Sequence, residues 1–227
     1  MKISEIFYSI QGEGKNAGMP AVFLRLAECN LRCVWCDTDY TWNWEKYNRE
    51  KESRELAVEQ VLEEVRRHPC RNLVMTGGEP LLQQKELVQL MSKLKSGGYW
   101  LEVETNATLL PAKEFDDLVD QYNCSPKLKN SGHRTEEMEK PKALKFFGAS
   151  PKAVFKFVIA GPACHREADR FIEKYGIPRE KVWLMPEGKT SAAVREKLRR
   201  LTPFCLERGF QLSDRLHLHL FGNRRGT

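Results

Sequence analysis

The sequence predicts an α/β fold in which parallel strands are joined by helices. Three observations carry this. Short runs rich in Val, Leu and Phe recur along the chain. Between them lie stretches whose apolar residues return every three or four positions, the spacing of a helix face. Strand and helix alternate, and that order calls for parallel pairing through crossover helices. Taken in order, "AVFLRL" (Ala21–Leu26) reads as a buried strand. "ELAVEQVLEEVRRH" puts Val58, Val61, Leu62 and Val65 at helical spacing. "NLVMT" (Asn72–Thr76) is a strand that runs into a Gly-Gly turn. "KELVQLMSKLKSGG" sets Leu87, Leu90, Met91 and Leu94 on one face and stops at Gly97–Gly98, a normal helix end. "WLEVET" (Trp100–Thr105), "AVFKFVIAG" (Ala153–Gly161), "VWLMP" (Val182–Pro186) and "RLHLHL" (Arg215–Leu220) read as later strands, with helical patterns near Glu167–Tyr175 and Ala192–Arg208. The polar stretch near 128–152, with its Gly and Pro, breaks the rhythm and reads as a loop insertion with a short helix. No repeat or long linker divides the chain, so residues 1–227 are expected to form one domain.

Composition narrows the function. At 227 residues, with 41% hydrophobic and 30% charged residues, the chain has the make-up of a soluble globular protein with a real core. Its apolar runs are far too short to span a bilayer. The N-terminus has no long apolar core and no small-residue cleavage site. A cytoplasmic location is therefore expected, where thiols stay reduced, and the seven cysteines are an odd number for a disulfide framework. The net charge of +6 comes from scattered Lys and Arg interleaved with Glu. That pattern reads as a solvated surface, and no nucleic-acid-binding spacing accompanies it.

The chemistry concentrates in "LAECNLRCVWCDTDY" (Leu26–Tyr40), where Cys29, Cys33 and Cys36 fall within eight residues. Three thiolates at C-x3-C-x2-C spacing suit three corners of a [4Fe-4S] cube. The fourth iron then remains open to a small chelating molecule. A Cys3His zinc site and plain core thiols are the alternatives. His68 is far for the first, and Arg32 and Asp37 are out of place in the second. Cys70, Cys124, Cys164 and Cys205 share no motif and read as buried or half-buried thiols. Ligands gather at the carboxyl ends of parallel strands. The cysteines follow one such end, and "GGEP" (Gly77–Pro80), "ETNAT" (Glu104–Thr108) and "SPK" (Ser125–Lys127) follow others.

The cysteine triplet followed by "GGEP" resembles the radical S-adenosylmethionine (SAM) superfamily. Adding "FYSIQGEG" (Phe7–Gly14), Arg25 in "FLRL", "CDT", "ETN", "SPK" and the final "GNRRGT", the chain resembles the 7-carboxy-7-deazaguanine synthases within it. The resemblance implies a partial, incomplete radical-SAM barrel, usually in a homodimer. It implies conversion of 6-carboxy-5,6,7,8-tetrahydropterin to 7-carboxy-7-deazaguanine with loss of ammonia, in queuosine and 7-deazapurine biosynthesis. The cofactors implied are a [4Fe-4S] cluster on Cys29, Cys33 and Cys36, S-adenosyl-L-methionine and Mg2+. SAM would meet Gly78, Glu104, Ser125, Pro126, Lys127 and Pro186, although Met185 stands where the family more often has Gln. Substrate would meet Ile10, Gln11, Gly12, Arg25 and Thr76, and the terminal carboxylate of Thr227, brought to the site by a last strand. Arg25 faces away from Leu24 and Leu26. An Arg in a strand is usually a solvent-facing charge; here it becomes the partner of the substrate carboxylate. Thr38 would hold Mg2+, in preference to Asp37 and Asp39, where residues alone favour a turn cap. His217 and His219 read as one polar strand face. A flavodoxin- or ferredoxin-type protein is the implied electron donor. A glycyl-radical activase is opposed by "SIQGEG" and "CDT". A non-catalytic iron-sulfur or zinc-binding protein leaves "GGEP", "ETN" and "SPK" unexplained.

Overall fold

The computed structural model describes residues 1–227. Nine strands form one sheet: β1 (Lys2–Ile10), β2 (Pro20–Leu26), β3 (Arg54–Glu55), β4 (Asn72–Gly77), β5 (Trp100–Thr105), β6 (Gln121–Cys124), β7 (Ala153–Ile159), β8 (Val182–Pro186) and β9 (Gln211–Leu212). Their spatial order is β3-β1-β2-β4-β5-β6-β7-β8-β9. Pairing is parallel from β2 to β9, as the alternation predicted. β1 runs antiparallel to both its neighbours, which a short loop between β1 and β2 permits. The helices are α1 (Arg49–Glu52), α2 (Val58–Arg66), α3 (Gln84–Lys95), α4 (Lys113–Leu118), α5 (Thr135–Met138), α6 (Pro141–Ala149), α7 (Pro162–Tyr175), α8 (Ser191–Arg208) and α9 (Leu216–Phe221).

The two faces of the sheet differ in chemistry. Leu24, Met75, Val103, Tyr122 and Phe155 lie on the outer face, in a core of 41 buried residues that also takes the apolar stripes of α2, α3 and α7. The alternate positions Arg25, Thr76, Glu104, Asn123, Lys156 and Met185 all line one cavity of about 450 Å³. Strands that share a cavity from β1 to β8 must curl around it. Yet β9 and β3 end the order without pairing to each other, so the barrel is not closed.

The last expected strand is not there. "RLHLHL" continues from the two-residue β9 into a helix, and only Leu218 and the helix-entry Arg215 are buried in that run. The alternation of Leu and His that suggested a strand spans too few residues to separate a period of 2 from one of 3.6. The helix has a task at the barrel's gap. Leu216 donates its N–H to the Gly12 carbonyl at 2.8 Å, and Gly14 N–H donates to Ser213 Oγ at 2.8 Å. Arg215 Nε donates to Glu13 Oε1 at 2.9 Å. A seam of side chains and loop contacts thus spans the gap where further strands would close a full barrel. His219 is no strand-face residue either. It contacts Ser191 Oγ at 2.6 Å through Nδ1 and Asp214 at 2.9 Å through Nε2. None of these three lines the cavity, and together they strut α9 against the start of α8.

The stretch near 128–152 is also more ordered than its polarity suggested. It holds α5 and α6, and it buries Leu128, Met138, Leu144 and Phe147. Its many charges occupy the outer helix faces.

Candidate active site

The cysteine loop is built on β4. Parallel pairing with β2 continues past the strand: Gly78 N–H donates to the Leu26 carbonyl at 3.0 Å and Glu79 N–H to the Glu28 carbonyl at 2.8 Å. The approach leaves no room for side chains. A Cβ on Gly78 would stand 1.8 Å from the Glu28 carbonyl oxygen, and one on Gly77 would stand 2.2 Å from that of Leu26. Glu28 itself takes a left-handed backbone, φ 74°. Glu79 is fully buried and accepts from Leu81 N–H (3.1 Å), Thr105 Oγ1 (2.8 Å) and Asn106 N–H (2.7 Å). Burial raises its carboxyl pKa. Asn106 donates to Asn30 Oδ1 at 2.8 Å, inside the cysteine loop. The "GGEP", "ETN" and cysteine loops are therefore one hydrogen-bonded unit. Glu79 and Asn106 are supports the sequence reading passed over, because the glycines carried its signal.

Cys29, Cys33 and Cys36 are free, half-buried and on the cavity wall. Burial pushes the Cys29 thiol up to about 12 and raises that of Cys33. Leu31 N–H points to Cys29 Sγ at 3.4 Å and Trp42 Nε1 to Cys36 Sγ at 3.4 Å. No three His, Cys, Asp or Glu side chains converge as the ligands of one ion. Three separate sulfurs, two of which accept an N–H bond, suit three different iron corners of a cluster. The donor set fits a [4Fe-4S] cluster.

The other expected residues divide cleanly. Gly78, Glu104, Ser125, Lys127, Ile10, Gln11, Gly12, Arg25, Thr76, Thr38 and Thr227 all line the same cavity. Pro126 and Pro186 are buried and do not line it, while Met185 does. Lys127 Nζ donates to Ser125 Oγ at 3.0 Å, which folds the "SPK" loop onto itself beside the cysteines. Glu104 accepts from Gln11 Nε2 at 3.2 Å and from Thr76 Oγ1 at 2.6 Å. Arg25 donates through Nε to Glu5 at 2.7 Å, with its guanidinium 5.4 Å over the Phe7 ring. Its two terminal nitrogens have no protein acceptor.

Around Thr38 the turn-cap reading fails. The hydroxyl that closes the turn belongs to Thr41, which donates to the Thr38 carbonyl at 2.8 Å. Thr38 makes no side-chain cap, and its own hydroxyl lies 3.7 Å from Cys36 Sγ. Both neighbouring carboxylates are occupied: Asp37 pairs with Arg215, and Asp39 with Lys46 at 2.8 Å and Tyr47 at 3.1 Å.

Four further cavity residues were not singled out as site residues from the sequence: Glu13, Lys156, Arg215 and His217. Glu13 bonds Lys156 and Arg215. Burial alone would raise the Glu13 carboxyl, but Lys156, Arg215 and His217 hold it far below the usual carboxylate range. His217 packs so closely on Gly12 that a Cβ there would meet its Nδ1 at 2.2 Å. Burial lowers its pKa, which favours the neutral ring. One signal did exist. Lys156 is the single cation within the apolar run "AVFKFVI".

Residues 26–127 match the Radical SAM superfamily. The chain is 40% identical to the 7-carboxy-7-deazaguanine synthase of Pyrobaculum aerophilum, over all of this chain and 97% of that protein. It is 36% identical to the same enzyme of Hyperthermus butylicus, over 96% of this chain and 92% of the relative. The crystal structure of QueE from Escherichia coli superposes with a TM-score of 0.68 at 26% identity, covering 95% of this chain and 94% of that one. A half-open α/β barrel, three cysteines at its mouth and full-length likeness to these enzymes lead to one conclusion: the chain belongs to the 7-carboxy-7-deazaguanine synthase family of radical SAM enzymes.

Proposed function

We propose that the cavity holds SAM and 6-carboxy-5,6,7,8-tetrahydropterin side by side, and that the chain converts the pterin to 7-carboxy-7-deazaguanine with loss of ammonia, as a carbon-nitrogen lyase. The observation that carries this is the single cavity shared by the cysteine, "GGEP" and "SPK" loops and by Gln11, Arg25, Thr76 and the C-terminal tail. Bound cluster and SAM supply a carbon radical able to take a hydrogen atom from the substrate. The chain's residues hold, orient and shield. Cys29, Cys33 and Cys36 carry the cluster. Gly78 leaves backbone exposed beside it, and Ser125 and Lys127 flank it for SAM. Arg25, fixed by Glu5 at Nε, keeps two free nitrogens for the substrate carboxylate, the geometry that favours a paired contact. Gln11 and Thr76 both donate to Glu104, so the carboxylate assigned to SAM also orients two of the groups that face the flat pterin. The stacked Phe7 and Phe23 rings, 5.0 Å apart, make the apolar floor. A flavodoxin- or ferredoxin-type protein supplies the electron, and the enzyme works as a cytoplasmic homodimer. No helix is long and apolar enough to cross a membrane.

The decisive assay is anaerobic incubation with SAM, Mg2+, a reductant and the carboxytetrahydropterin. The expected result is a product that has lost the mass of ammonia. Unchanged pterin beside a reduced cluster would refute the substrate assignment.

Thr38 is the proposed Mg2+ ligand. A single neutral oxygen suits an ion that keeps waters and takes substrate oxygens. Thr38→Ala is expected to raise the Mg2+ requirement about tenfold, in the range lost with supports of metal sites. The cluster spectrum should barely change, and Thr38→Ser should retain more activity. Equal behaviour of Ala and Ser would remove the hydroxyl from the metal site.

A further inference from the structure

The tail reaches the cavity from α9, and something must hold it there. Asn223 to Thr227 all line the cavity, yet the segment has no strand or helix of its own. Gly222 and Gly226 turn it with left-handed φ of 68° and 71°. Its strongest attachment is Arg225. The guanidinium carbon lies 3.6 Å from the centre of the Tyr40 ring and 5.7 Å from that of Tyr47. Tyr40 and Tyr47 meet edge to face at 6.3 Å, so they form two walls of one aromatic corner. Arg225 Nη1 also donates to Glu52 Oε2 at 2.7 Å. Stacking and a charge-assisted bond together fix both position and plane of the guanidinium.

The corner stands where the chemistry is assembled. Tyr40 and Tyr47 follow the third cysteine, and Glu52 ends the short α1. Tyr40 is 4% exposed, and its hydroxyl donates to Glu5 Oε2 at 2.8 Å. That oxygen also accepts from Arg25 Nε. A continuous line therefore runs from Arg225 through the Tyr40 ring and Glu5 to Arg25.

We propose that Arg225 is a latch that docks the tail against the segment after the cysteines, and so sets one wall of the pterin site. It is a positioning residue: it touches Tyr40 and Glu52 rather than substrate. The proposal rests on the reading of the tail as part of the pterin site. Through Tyr40 and Glu5, the latch also bears on the residue assigned to the substrate carboxylate. Arg224 beside it makes no ion pair with the protein.

Steady-state kinetics on the reconstituted holoenzyme test this, with iron content measured alongside. Arg225→Ala should raise KM for the pterin about fivefold, the scale of one solvent-exposed cation–π contact, since the Arg225 side chain is 46% exposed. It should move kcat and the KM for SAM far less, whereas a loss of general structure would move both KM values. Arg225→Lys keeps the charge and should recover part of the loss. Tyr40→Phe keeps the ring and loses only the bond to Glu5, so the latch should stay engaged, whereas the further rise from Tyr40→Phe to Tyr40→Leu should match that of Arg225→Ala. The double variant Arg225→Ala/Tyr40→Leu should be no worse than Tyr40→Leu alone. Should Tyr40→Leu fold poorly, Glu52→Gln provides the second partner, with a smaller rise expected in the same KM. Deleting residues 225–227 separates the two readings. If the deletion raises the pterin KM but Arg225→Ala does not, the latch is overturned and the tail reading stands. If the deletion changes nothing, both are overturned. Full additivity of Arg225→Ala and Tyr40→Leu would also overturn the latch.

Discussion

Replacing Cys29, Cys33 or Cys36 by Ala is expected to reduce turnover to background and to deplete iron, while the protein stays folded. The thiols sit half-buried on the cavity wall, outside the 41-residue core. Losing one removes no packing that the sheet depends on. It does remove one corner of the cluster, and cluster assembly depends on all of its protein ligands. Cys124 is the control. It is fully buried in the core on β6, and burial raises its thiol pKa well above the usual value. Cys124→Ala should cost about 1 kcal/mol of stability, in line with a small cavity, and retain iron. Iron content measured with the melting temperature separates the two classes. Full turnover by any of the three loop variants would sink the cluster assignment.

Gly78→Ala is expected to be nearly as damaging, by a different route. The added Cβ has 1.8 Å to the Glu28 carbonyl oxygen and 2.4 Å to its carbon, both backbone atoms that cannot swing aside. One loop must move. The Glu28 carbonyl also accepts the Glu79 N–H, so displacement breaks the contact that seats the cysteine loop on β4. Overpacking of this kind costs about 1–3 kcal/mol. The functional cost should be larger, since Cys29 is the next residue and ligand positions tolerate little error. Low iron incorporation with a modest fall in melting temperature is the expected pattern. Normal incorporation would show that the loop is free to shift and that the glycine serves SAM alone.

The fold was legible wherever one face of a strand met the core. β5 and β8 begin and end where "WLEVET" and "VWLMP" do, because Leu101 and Val103 in one and Val182 and Leu184 in the other supply apolar alternates to the core. The cysteines, "GGEP" and "SPK" announced themselves because their chemistry is local in sequence. Three things were not legible. The antiparallel β1 carries Lys2, Ser4 and Glu5 among its apolar residues, and its half-exposed pattern gave no clear strand. The six residues of "RLHLHL" fit either period. Their helical outcome was decided by tertiary contacts, Gly12 to Leu216 and Glu13 to Arg215. The polar interior was invisible for the same reason. Arg215 and Asp37 are 178 residues apart, and Lys156 and Glu13 are 143 apart. No local window contains both partners. The tail illustrates a mixed outcome. Thr227 was expected at the site and lines the cavity, while the Tyr40 and Tyr47 corner that holds Arg225 was not foreseen.

The gap between the ends of the sheet makes one side of the container unlike the others. A ladder of backbone bonds gives way only when a strand unfolds. The seam of Glu13, Arg215, Lys156 and α9 gives way contact by contact. It is the pliable hem of an otherwise stiff vessel. Its grip depends on ionisation. The Glu13 carboxyl lies far below its ordinary value when folded, so its stabilising contribution is complete above that ordinary value. The contribution is lost as pH falls toward the folded pKa. Acid therefore reaches this hem late: in the folded protein Glu13 keeps its charge, and its grip on Lys156 and Arg215, after buried carboxyls such as Glu79 and Glu102, whose pKa values are raised, have been neutralised.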